Sequence, residues 1–138
     1  MKTWSAMYAL VWVAFLDILI GLFSPFGYPF DLPVHAVVGL AIIGLAFTIQ
    51  RKVKSTDCPG RIKRITRVTW YLALLQVLLG AILVATTALA PGGLAVTVVV
   101  FVHAVNAIAI ITQASSSATA FDMWEEKEFA PAQAASPA

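Results

Sequence analysis

Apolar residues in this chain come in four long unbroken runs rather than in short amphipathic stripes. The first extends from about Trp4 to Phe23, interrupted by Ser5 and Asp17. The second covers about 33–50, the third 68–90 and the fourth 94–113. Each is close to the ~20 residues that a helix needs to cross the hydrocarbon core of a bilayer. The punctuation between them agrees with this division. Residues 24–33, SPFGYPFDLP, hold three prolines and a glycine, and Pro33 suits a first helical turn. Pro91-Gly92-Gly93 predicts a tight turn between runs three and four. The pattern therefore predicts an all-α integral membrane protein, a bundle of four transmembrane helices over residues 1–113.

Composition strengthens that reading. Of 138 residues, 60% are hydrophobic and 12% charged, with a mean hydropathy of +0.88. A water-soluble domain of this length cannot bury so much apolar surface, so lipid has to be the solvent. The first run is too long for a signal-peptide core, and no small-residue cleavage site closes it, so a retained helix is expected. The lone Cys58 excludes an internal disulfide and a cysteine-based zinc or iron–sulfur site. It reads as an inert reduced thiol, with S-palmitoylation as the weaker alternative.

Charge sets the expected topology. Residues 51–67, RKVKSTDCPGRIKRITR, carry seven of the nine Lys and Arg, and read as a cytoplasmic loop. Four spans then place both termini in the cytoplasm as well, at the cell membrane. Trp70 and Tyr71 sit where an aromatic belt belongs. The basic segment also suits contact with anionic lipid. Residues 114–138 read as a cytoplasmic tail. Residues 114–128 are able to continue the fourth helix, and the terminal APAQAASPA is too poor in apolar groups to pack a core and is expected to be disordered.

An internal repeat organises the apolar runs. Residues 34–47 (VHAVVGLAIIGLAF) and 102–115 (VHAVNAIAIITQAS) coincide at eight of fourteen positions, including both histidines of the chain, His35 and His103. LDILIG (16–21) matches LQVLLG (75–80) at Leu16/Leu75, Leu19/Leu78 and Gly21/Gly80. Helices one and two are thus copied as helices three and four. Two hairpins inserted in the same sense are related by a pseudo-twofold axis along the membrane normal. His35 is then expected to face His103.

Histidine inside lipid is costly and usually has a partner or a function. Two at symmetry-related places read as axial ligands of one haem b iron, since imidazole suits iron and helix-bundle cores hold haem. Zinc is disfavoured because no carboxylate or thiol completes a tetrahedral set. Gly39 and Ala107 follow the histidines by four residues, and Gly21 and Gly80 occupy matching places on helices one and three. Such small residues either let helices pack closely or leave room for a flat macrocycle. Asp17 is the one acid well inside a span, suited to relaying protons or to accepting a bond from a ligating imidazole. Gln76, its repeat partner, and Asn106 are placed to orient the histidines in the same way, and Asp31 is expected at the outer interface. One difficulty is depth: His35 lies ~24 Å of helix from Arg51, His103 only ~15 Å from Gln113. The levels agree if helix four is immersed beyond Gln113 or tilted, or if residues 26–34 dip into the membrane.

With His35, LLQVLLGAILV (74–84), a Pro-Gly turn and His103 on the next helix, residues 10–113 resemble one four-helix half of the haem A synthase family. The resemblance implies that His35 and His103 hold haem. The family's glutamate just before the first histidine, the arginine that often follows it and the paired outer-loop cysteines of many members are missing here. The expectation is accordingly a haem b electron-transfer or accessory subunit of a respiratory or similar membrane redox complex, with other subunits, lipid and a nearby quinone as partners. The alternatives are a single-domain haem A synthase-like oxidase acting on haem O, and a haem-free structural or assembly subunit. Nothing resembles a nucleotide loop, a hydrolase triad or a nucleic-acid reader.

Overall fold

The computed structural model describes residues 2–23 and 31–129. Met1, the segment 24–30, the tail 130–138 and the side chains of Phe23, Asp31, Glu128 and Phe129 lie outside the described residues. Four helices make up the fold: α1 (Thr3–Phe23), α2 (Asp31–Lys54), α3 (Gly60–Leu89) and α4 (Leu94–Phe129). All four are long and apolar enough to span a membrane. α1 packs on α2 and α4, and α3 packs on the same two helices, so the bundle is a square with α1 opposite α3 and α2 opposite α4. Among the described residues there are no strands.

Lipid-facing character is visible in what the bundle leaves outside. Trp12, Val37 and Phe101 are 68%, 66% and 69% exposed at mid-helix positions. Such a surface would drive aggregation in water and suits a hydrocarbon solvent. Hydroxyls along the spans bond back to their own helices, as Thr48 does to Gly44 O at 2.8 Å and Thr112 to Ile108 O at 2.9 Å. That is how polar groups are satisfied where water is scarce.

The ends of the helices differ from the sequence expectation. The basic segment 51–67 is mostly helix: α2 runs on through Lys54 and α3 begins at Gly60, leaving five residues between them. Lys and Arg are good helix formers. Arg51, Lys52 and Lys54 fall in the last turn of α2, where the helix dipole favours cations. Val53, Cys58 and Ile62 turn inward and are buried, which pins the connection to the bundle. Cys58 Sγ lies 3.8 Å from Val53 O. α4 continues past Gln113, as the sequence of 114–128 allows. It reaches Phe129, 36 residues or about 54 Å of helix, with Ala114, Ser117, Ala118 and Phe121 all buried. At the other end the predicted turn is present. Gly93 N donates to Ala90 O at 3.2 Å, and Gly92 has φ +74°, a conformation that Gly adopts without steric cost.

Burial follows the duplication along the helices. Met7, Leu10 and Ala14 of α1 correspond to Thr66, Thr69 and Ala73 of α3, and all six are buried. Ile42, Ala46, Ile49 and Val53 of α2 correspond to Ile110, Ala114, Ser117 and Phe121 of α4, and again all are buried. His35 and Val53 are therefore separated by the same length of helix as His103 and Phe121. The depth mismatch disappears because α4 stays packed in the bundle beyond Gln113.

The core occupies only the half of the bundle nearer the basic connection. Beyond Asp17, Ile42, Ala73 and Asn106, toward the 90–93 turn, none of the described residues is fully buried. Met7, 1% exposed, anchors the packed half. Replacing it by Ala is expected to lower stability by about 2–5 kcal/mol, whereas Leu89→Ala, at a site 86% exposed, changes it by less than about 0.5 kcal/mol. Thermal unfolding in detergent micelles measures the difference.

Candidate functional site

Where the core ends, a cavity of about 740 Å³ begins. Protein interiors are normally packed without such voids, and this volume is within the range of ligand pockets, ~300–1,000 Å³. Its floor is one residue from each helix: Ala14, Ile42, Ala73 and Ile110. These form two repeat-related pairs, Ala14 with Ala73 and Ile42 with Ile110. Gly21, Gly39, Gly80 and Ala107 line the walls with His35, His103, Asp17 and Gln76. Val84, Thr87, Val96 and Val100 extend it toward the 90–93 end of the bundle. The void exists because the inward positions here carry side chains too short to meet across the bundle.

Both histidines enter this space. α2 and α4 are diagonal neighbours, so their inward side chains point at one another, and the two imidazole centroids are 6.1 Å apart with planes at 63°. Each ring rests on the glycine of the preceding helix. A Cβ on Gly21 would approach His35 Cε1 to 3.3 Å, and one on Gly80 would approach His103 Cε1 to 3.5 Å. The glycines thus let the rings lie close against α1 and α3.

The polar neighbours break the symmetry. His35 Nδ1 is 3.1 Å from the Asp17 carbonyl oxygen and 2.9 Å from Asp17 Oδ1. One N–H can align on only one acceptor. It aligns on the carbonyl, and Oδ1 stays buried without an aligned donor. With Nδ1 protonated, a neutral His35 keeps its lone pair on Nε2. At His103 the bond is made by the other nitrogen: the Gln76 amide nitrogen is 3.0 Å from His103 Nε2. Asn106 fixes which way that amide faces, since its Nδ2 donates to Gln76 Oε1 at 2.6 Å and to Leu72 O at 3.0 Å. Gln76 therefore presents its NH₂ to the ring, and His103 Nε2 accepts. His103 Nδ1 is left buried with no partner. With Nε2 accepting, the neutral ring carries its proton on Nδ1, a buried donor without an acceptor.

Residues expected from the sequence to act together are thus gathered on one cavity, with Asn106 one bond behind Gln76. The floor residues and the far wall were not anticipated. The signal for the floor was present, because Ala14/Ala73 and Ile42/Ile110 stand at the same spacings as Gly21/Gly80 and His35/His103. Among the described residues no three His, Cys, Asp or Glu side chains gather to hold a bare metal ion. Two imidazoles are enough when a macrocycle supplies the remaining nitrogens. Metal–imidazole bonds of ~2 Å on either side of one ion place ring centroids roughly 6 Å apart, which the observed spacing matches. Two imidazoles at this spacing on a cavity of this volume are a donor set compatible with a haem.

No protein-family model matches the chain, and no curated protein or solved structure is significantly similar to it.

The asparagine bridge gives a direct test of the polar network. Position 38, equivalent to 106 in the first hairpin, is Val, so Asn106→Val restores the repeat while removing both donors. Leaving the half-buried Gln76 Oε1 and Leu72 O short of a partner is expected to cost about 1 kcal/mol. Thr112→Val, two turns on and exposed, is expected to cost less than about 0.5 kcal/mol in the same thermal unfolding series.

Proposed function

We propose that this protein is a membrane-embedded b-type haem protein, with His35 and His103 as the two axial ligands, serving electron transfer in a membrane redox complex. The observation that carries the reading is the pair of imidazoles 6.1 Å apart at the mouth of an unfilled core. Haem bound there supplies one-electron chemistry. Two protein nitrogens on one iron leave no position for oxygen or substrate, which favours electron transfer over oxidation of a haem methyl group.

The chain's own residues divide the work. Asp17 holds the His35 proton on Nδ1 and so directs the Nε2 lone pair away from α1. His103 Nε2, which accepts from Gln76, would have to give up that bond, of net value about 1 kcal/mol, to hold a metal. Gly21, Gly39, Gly80 and Ala107 keep the walls thin enough for a flat ring. Ile42 and Ile110 seal the floor against water from the basic end. The resemblance to half of a haem A synthase leads to the same two ligands.

Seven of nine cations lie between 51 and 67, which supports a cytoplasmic placement of that end and of both chain ends. The cavity then opens toward the outer leaflet. The described chain is four helices with short connections and no separate soluble domain, so electrons would arrive and leave through other subunits or a membrane-soluble carrier such as a quinone.

A reduced-minus-oxidised absorption spectrum of the purified protein tests the reading. Wild type is expected to show b-type haem bands, and His35→Ala and His103→Ala to lose most of them. Wild-type protein without haem bands, after expression with ample haem precursor, overturns it and leaves a haem-free scaffold. Conversion of haem O to haem A on co-expression would instead identify an oxidase.

A further inference from the structure

The structure points to a second site, at the opposite end of the bundle. A groove of about 540 Å³ at the end of α2 is lined by Phe47, Gln50, Arg51, Lys54 and Ser55. Arg51 and Lys54 are exposed, and no acidic side chain lines the groove. The Arg51 guanidinium stands over the Phe47 ring, 5.8 Å from its centroid. Phe47 in turn meets Trp70 of α3 at a tilt of 45°, centroids 5.5 Å apart, and Trp70 meets Tyr71 at 36° and 5.0 Å. Arg51 is thus held over one edge of an aromatic patch that includes the exposed Phe47 and Tyr71, and Lys54 lines the same groove one turn on. That is the layout which takes a phosphate between the cations and acyl chains along the rings.

The duplication supplies an internal control. The places in α4 that match Phe47, Gln50, Arg51, Lys54 and Ser55 hold Ser115, Ala118, Thr119, Asp122 and Met123. The inward neighbours Ala46, Ile49 and Val53 are buried like their counterparts Ala114, Ser117 and Phe121. Packing of the bundle is therefore met in both copies, and only one carries the cations and the aromatic ring. Core packing is thus met without these side chains, and from their grouping on one groove we infer that Phe47, Arg51 and Lys54 form a binding site for the phosphate headgroup of an anionic phospholipid in the adjoining leaflet. The Gln50 amide is placed on the same groove to donate to a headgroup oxygen, while Ser55 Oγ already donates to Lys52 O at 2.8 Å.

Native mass spectrometry of the full chain in mild detergent tests this. The protein is titrated with phosphatidylglycerol, or with phosphatidylcholine of the same acyl chains. Wild type is expected to retain phosphatidylglycerol selectively. The double variant Arg51→Gln/Lys54→Gln is expected to retain roughly thirtyfold less, the effect of two juxtamembrane cations. Arg61→Gln/Arg64→Gln makes the same change in net charge at exposed positions outside the groove, and is expected to retain nearly as much as wild type. Equal loss in both double variants would reduce the effect to general electrostatics and overturn the site. Equal retention of phosphatidylcholine, or full displacement by excess inorganic phosphate, would overturn an anionic lipid as the occupant.

Discussion

The structure depends on one constraint: beyond the level of Asp17, the inward side chains are too small to fill the space the helices enclose. Below that level the four helices pack as a protein interior should, with Ala, Ile, Val and Met closing on one another. Above it, glycines and alanines line the space together with two imidazoles and aliphatic side chains such as Leu83, Val84 and Val100 that do not meet across it, and a void is left. An apolar void is costly in lost dispersion contacts. The packed half holds the helices at the spacing that the void requires.

Duplication explains how so small a chain brings two imidazoles together. A hairpin copied once, with its partner helices kept diagonal, brings equivalent residues to a common centre without further design. The copies then diverged where chemistry differs. Asp17 gives His35 acceptors for its Nδ1 proton, whereas Gln76, held by Asn106, gives His103 a donor at Nε2. The two rings share a place in the fold but differ in which nitrogen is free. The basic end shows a second divergence, with Arg51 and Lys54 on one hairpin and Thr119 and Asp122 on the other.

Much of this was legible in the residues because lipid solvent simplifies the code: runs of apolar residues mark spans, and their lengths mark crossings. The histidines, Asp17, Gln76 and the four small residues could be singled out because polar and very small residues stand out in such runs. The repeat gave the diagonal arrangement. Helix ends were harder. The charges of 51–67 signal water, and both a loop and the ends of two helices satisfy that signal; Val53, Cys58 and Ile62 decide for helix ends by burying. Likewise the small polar residues after Ser115 hid an inward row of Ser117, Ala118 and Phe121 that keeps α4 in the bundle. Hydrogen-bond direction was out of reach, because which nitrogen of His103 is engaged depends on the Gln76 amide and, through it, on Asn106.

The central claim is that α2 and α4 grip one iron at the same time, one imidazole from each side. Electron paramagnetic resonance of the oxidised protein examines that coordination directly. Two axial imidazoles predict a low-spin ferric signal in wild type that becomes high-spin when His103 alone is replaced by Ala. A wild-type spectrum that is already high-spin would contradict the account, because the iron would then be held from one side only.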